Sequence, residues 1–135
     1  MVDSTSPPQK TLGLYTPYLQ GFYFGELVSQ IQQYCIIKGY KFTVIKTDSF
    51  ATFNSAIHTE HIDYFVILRN AIHNTLAEYL VNSEKPIVSI AYDYFPLAIP
   101  MFTSDNEMGM ELAINHLLQK GHRPDIGNAT IFIRV

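Results

Sequence analysis

The sequence predicts an α/β fold, a doubly wound and mainly parallel sheet flanked by helices, and three observations predict it. Strand-like apolar runs alternate with amphipathic helical stretches along the chain, as in successive βα units. The opening stretch, Thr11 to Lys38, is a strand, a proline-glycine turn and a helix, the first half of a βαβ unit. The run Ile62 to Leu68 is apolar apart from Asp63 and carries two aromatics, the composition of a central strand buried on both faces.

The first strand is Thr11-Leu-Gly-Leu-Tyr15. The turn Thr16-Pro-Tyr-Leu-Gln-Gly21 leads into Phe22, Tyr23 and Phe24. The helix that follows places Phe24, Leu27, Val28, Ile31, Tyr34, Cys35 and Ile37 on one stripe, with Glu26, Ser29, Gln30, Gln32 and Gln33 opposite. Gly39 is its natural stop. Lys41 to Lys46 is a second strand, apolar and β-branched at its centre. Thr47-Asp-Ser49 then offers caps for a short helix from Phe50 to about His58, with Phe50, Phe53 and Ile57 inward.

After the central strand, Arg69-Asn70 end the run and Ile72 to Asn82 forms a helix with Ile72, Leu76, Ala77, Leu80 and Val81 on one face. Lys85-Pro86 breaks that pattern, Ile87 to Tyr92 is a fourth strand, and Asp93 to Pro96 a turn. Ile99 to Thr103, bounded by Pro100, is a short fifth strand suited to an edge. The last helix opens on the capping box Ser104-x-x-Glu107, with Asp105 as competing cap. Its stripe is Met110, Ala113, Ile114, Leu117 and Leu118, and Lys120-Gly121 closes it. Ala129 to Val135 is a candidate sixth strand.

Composition bounds the function. The 135 residues are 47% hydrophobic and 16% charged, enough apolar material for one packed domain. The net charge of −3 and the lack of any cationic run argue against nucleic-acid binding by this chain, which needs clustered Lys and Arg. No apolar stretch approaches the roughly 20 residues of a membrane span, and no signal-peptide pattern opens the chain. Cys35 is the single cysteine and can form no internal disulfide. Together these favour a soluble, cytoplasmic protein without a membrane partner. Met1 to Lys10 is polar, carries two prolines and is expected to be a disordered leader.

Most catalytic signatures are absent. No Gly-x-Gly-x-x-Gly or Gly-x-x-x-x-Gly-Lys follows the first strand, and no Gly-x-Ser-x-Gly occurs. The third strand ends in Leu68-Arg69, without the aspartate of a phospho-receiver. His58-x-x-His61 has helical metal-ligand spacing but no accompanying Cys or carboxylate set. His73, His116 and His122 are scattered and suit surface or capping roles. No metal, cofactor or catalytic residue is therefore expected.

Several segments, in order, resemble the effector-binding core of the LacI/GalR repressors, which has the periplasmic binding protein-like fold. Gly13-Leu-Tyr-Thr-Pro17 with Phe22-Tyr23-Phe24 is similar to its opening, and Ile62-Asp63-Tyr64-Phe65-Val66-Ile67 to its third strand. Lys85-Pro86-Ile87-Val88 resembles its fourth strand. Thr103-Ser104-Asp105-Asn106, Gly109 and His116-Leu117-Leu118-x-x-Gly121-His122-Arg123 resemble its most specific segment. Pro17-Tyr-Leu-x-Gly21-Phe-Tyr-Phe-Gly25-Glu26 looks closest to the branch of sensor domains fused to GGDEF diguanylate cyclases or histidine kinases. The chain departs from the family where Tyr64 replaces its usual Gly, in a short second helix, and where Pro124-Asp125 interrupts the run toward a second lobe.

The resemblance implies a flavodoxin-like first lobe over residues 11–123, with residues 124–135 a truncated start of a crossover strand or a tail. It implies a homodimer-forming, non-enzymatic sensor of a small-molecule effector, such as a sugar or nucleobase-like compound, that biases a signalling output. The alternative it leaves open is the effector core of a sugar-responsive repressor without its helix-turn-helix. Carried over by position, the ligand contacts are Tyr18, Gln20, Phe22 and Tyr23 after strand one and Asp48 after strand two. Arg69 and Asn70 follow strand three, Tyr92 and Asp93 strand four, and Asp105 precedes the last helix. Aromatics stack on a polar ring while Asp, Asn and Arg read its hydroxyls or amides. A simpler role for Asp48 and Asp105 is helix capping, and for Tyr92 packing.

Overall fold

The structure, a computed structural model, describes residues 9–52, 59–102 and 107–122. Five parallel strands form one sheet in the order β2-β1-β3-β4-β5. They are β1 (Thr11–Thr16), β2 (Lys41–Lys46), β3 (Tyr64–Leu68), β4 (Ile87–Ile90) and β5 (Met101–Phe102). The helices are α1 (Phe22–Lys38), α2 (Asn74–Val81) and α3 (Glu107–His122). This is the flavodoxin-like doubly wound arrangement.

The path β1→β2 runs to one side of the sheet and β3→β4 to the other. Right-handed crossovers must then put α1 and α2 on opposite faces, and the core divides that way. Leu12, Leu14, Tyr64, Val66, Leu68, Val88 and Ile90 meet Leu27, Ile31 and Cys35 of α1 and Ala113, Ile114, Leu117 and Leu118 of α3. Tyr15, Phe65, Ile67 and Ile87 meet Leu76, Ala77 and Leu80 of α2, together with Ile62, Ile72 and Tyr94. Alternate residues of β1 and β3 thus serve opposite layers, and β3, at the centre, is buried at every position. Tyr64 is a core side chain of the first layer.

Gly13 shows how closely the second layer is filled. A Cβ there would lie 2.8 Å from Cδ1 and 2.9 Å from Cγ2 of Ile62, which is itself fully buried. α1 stops as its sequence implies: Gly39 takes the left-handed conformation (φ 82°), and its N–H and that of Tyr40 bond back to Ile36 and Cys35 carbonyls. β2 and β5 are the edges, and the burial of β2 is only partial.

Four local readings need adjustment. Ile37 is 74% exposed, because the buried stripe of α1 follows Leu27, Ile31 and Cys35 at strict i+4 spacing. No helix begins at Phe50: its φ is +55°, its side chain is 45% exposed, and Ala51 instead bridges to Ile72. Phe53, Ile57 and His58 lie outside the described residues. α2 starts later, at Asn74, because the His73 ring accepts the Thr75 N–H at 3.1 Å and makes His73 the N-cap. β4 ends at Ile90 because Ala91 takes a φ of +68°. The capping box at Ser104 and the candidate strand Ala129 to Val135 lie outside the described residues. No helix of the described residues is long and apolar enough to cross a membrane.

Candidate functional site

In open parallel sheets a crevice forms beyond the carboxyl ends of two neighbouring strands whose crossovers depart in opposite directions. Here that point lies between β1 and β3. The loop after β1 and the residues after β3 form its two banks.

On the first bank, the Thr16 hydroxyl donates to the Tyr18 carbonyl at 2.7 Å, which folds the chain into the turn before α1. Tyr18 is 54% exposed, with its ring centroid 5.0 Å from that of Phe24. Tyr23 meets Phe24 edge-on at 5.0 Å. Gly21, at φ 97°, precedes the helix and supplies no side-chain cap. Gln20 is exposed in the same loop, and Phe22, 92% exposed, stands apart from the aromatic contacts.

On the second bank, Arg69 follows β3 with φ +53°. Its N–H donates to the Ile90 carbonyl at 2.8 Å, and its own carbonyl accepts the Tyr94 hydroxyl at 2.9 Å. Tyr94 is fully buried, and the same hydroxyl reaches the Ile72 carbonyl at 3.1 Å. Burial pushes the Tyr94 phenol above its ordinary range, so it stays a donor. The backbone of Arg69 is therefore held on both sides while its side chain is exposed. The guanidinium carbon lies 4.9 Å from the Tyr23 ring centroid, a cation–π contact that joins the two banks.

A third segment reaches over the end of β1. The Thr47 N–H donates to the Thr16 carbonyl and the Thr47 hydroxyl to the Ala71 carbonyl. Phe50 N–H donates to the Asn70 carbonyl, and His73 N–H to that of Ala51. This strap brings the Phe50 ring 5.9 Å from Tyr92, which packs at 4.7 Å on Tyr94. Ser89 and Asp93 fix the β4 end: the Ser89 hydroxyl donates to the Tyr92 carbonyl, and an Asp93 carboxylate oxygen accepts the Phe95 N–H.

The expected contact residues therefore divide. Tyr18, Tyr23, Arg69 and Tyr92 belong to one continuous rim. Asn70 contributes its carbonyl to the strap, and Asp93 holds its own turn. Asp48 and Gln20 are exposed beside the rim. Asp105 lies outside the described residues. Phe24, Phe50 and Tyr94 complete the rim and were not among the expected contacts. Phe24 looked like helix stripe and Phe50 like the inward face of a helix, and only the aromatic in the turn Asp93 to Pro96 signalled Tyr94.

Three of the positive-φ residues other than glycine, Phe50, Arg69 and Ala91, lie just beyond the carboxyl ends of β2, β3 and β4. Such conformations are costly and concentrate at functional sites. Elsewhere, a cleft of about 280 Å³ opens between Lys85, Pro86, Val88, Pro100 and His116 near the amino ends of β4 and β5. Among the described residues, no three His, Cys, Asp or Glu side chains gather to hold a metal. No protein-family model matches the chain.

Proposed function

We propose that this chain is a ligand-sensing lobe that binds a small polar molecule, a sugar or a nucleobase-like compound, at the carboxyl rim of its sheet. The observation that carries the reading is the Arg69–Tyr23 contact across the β1/β3 crevice, flanked by Tyr18 and Tyr92. Flat rings offer stacking faces, and a guanidinium offers hydrogen-bond donors for hydroxyl or carbonyl oxygens. The resemblance to LacI/GalR effector cores supports the same location. In that reading the lobe works as a binding device, and its occupancy biases a signalling output such as a diguanylate cyclase.

The test is thermal denaturation of the purified chain against a panel of monosaccharides, nucleosides and nucleobases. A compound that binds only the native state raises Tm in proportion to its concentration above Kd. The reading expects at least one such compound, with the rise lost in Tyr23→Ala and Tyr92→Ala. A stabilising compound that acts equally on both variants places binding elsewhere.

A further inference from the structure

We infer that the ligand of the carboxyl rim carries an oxyanion, a carboxylate or phosphate group, bound by the guanidinium of Arg69. This deepens the sensing-lobe reading and rests on it.

A guanidinium is protonated at every physiological pH, and its N–H fork matches the two oxygens of a carboxylate or phosphate. Among the described residues no carboxylate forms an ion pair with Arg69, and its guanidinium lies over the face of Tyr23. A cation–π contact supplies no oxygen acceptor for the N–H fork.

The amino end of α1 does not neutralise that charge. Tyr23 is in the first turn of α1, and that turn holds no acidic residue. A cation beside the amino end of a helix is disfavoured by the helix dipole, so Arg69 gains from an anion and loses without one. A side chain kept only to cover Tyr23 would need no charge at this place.

The mounting is also rigid. The backbone of Arg69 keeps a positive φ between the Ile90 carbonyl and the Tyr94 hydroxyl. A fixed backbone and a side chain held against a ring lower the ordering cost of binding. The neutral remainder of the ligand would meet the exposed rings of Tyr18 and Phe50.

The experiment is ligand-observed NMR titration with matched probes: glucose, glucuronate and glucose 6-phosphate, and adenosine with adenosine monophosphate. They are titrated into the wild-type chain, Arg69→Gln and Arg69→Lys. Arg69 is exposed, so each variant keeps the core contacts, and its amide spectrum checks the fold. The expected result is that an anionic member of a set binds the wild type at least tenfold more tightly than its neutral partner. Arg69→Gln removes that preference, and Arg69→Lys, with the charge but not the fork, restores part of it. Neutral and anionic members that bind alike, or a preference that survives in Arg69→Gln, overturn the oxyanion and leave the sensing lobe standing. Binding by no probe overturns both.

Discussion

The two ends of the sheet use their polar groups in opposite ways. At the amino end they are turned inward. The Thr11 N–H donates to the Asp63 carboxylate at 2.9 Å, and Asp63 N–H returns a bond to the Thr11 carbonyl. The Lys85 ammonium donates to the carbonyls of Ile62 at 2.6 Å, Glu60 at 3.2 Å and Thr59 at 3.5 Å, closing the turn that leads into β3. Ile62 fills the space that Gly13 leaves. At the carboxyl end, the backbone is held in costly conformations while Arg69, Tyr18 and Phe50 are exposed. One end spends its chemistry on the fold, and the other offers it to solvent.

That contrast fails or sharpens under perturbation. The largest effect is expected from alkali, which acts on the core between the two ends. Burial pushes the phenols of Tyr15 and Tyr64 up to about 12. An unfolded tyrosine ionises near pH ~10, so above that pH the unfolded chain holds fewer protons than the folded one and stability falls with rising pH. Stability from these phenols is fully present below pH ~10 and lost as pH passes ~12. Tyrosinate absorbance and circular dichroism should then change together at the end of the titration. Full ionisation of all nine tyrosines with the fold intact would contradict the burial of this core.

Next comes the amino end. Gly13→Ala sets a methyl against buried Ile62 and should cost about 1–3 kcal/mol in urea denaturation. Lys85→Met leaves the carbonyls of the 59–62 turn without their cation and should cost about 1–2 kcal/mol. Both variants should bind rim ligands as the wild type does once folded. A loss of binding at full folding would couple the two ends and break the division.

Smaller effects belong to the carboxyl end. Tyr94→Phe removes the hydroxyl that holds the Arg69 and Ile72 carbonyls and should cost about 1 kcal/mol. Because it loosens the mounting of Arg69, it should also weaken ligand binding. Arg69→Gly relieves the left-handed conformation and should stabilise the chain by about 0.5–1 kcal/mol while abolishing binding. A gain in stability from losing a rim residue is the signature of a site kept for function. A destabilised Arg69→Gly would make Arg69 a structural residue.

The core and the parallel, doubly wound sheet of this protein were largely legible in its sequence, and the rim was legible only in part. Burial follows hydrophobic periodicity, so β3 and the Leu27-Ile31-Cys35 stripe could be read directly. The parallel, doubly wound sheet followed from alternating elements and crossover handedness. The rim depends on backbone angles and long-range bonds that no local pattern encodes. Phe50 reads as a helix start because Thr47-Asp-Ser49 resembles a cap, yet the Thr47 hydroxyl goes to Ala71, far along the chain. Tyr94 lies in a turn that reads as surface, yet it is fully buried beneath Arg69. The stacking of Arg69 on Tyr23 joins residues that are adjacent only through the β1–β3 pairing.

The most direct test of the central claim, that the carboxyl rim is the binding surface, is an amide NMR map of the chain titrated with glucuronate and with adenosine monophosphate. Shifts should gather at Tyr18, Tyr23, Arg69, Asn70 and Tyr92 and be absent at Thr11, Ile62 and Lys85. Shifts gathered instead at Lys85, Val88 and His116, around the cleft at the opposite end of the sheet, would contradict it.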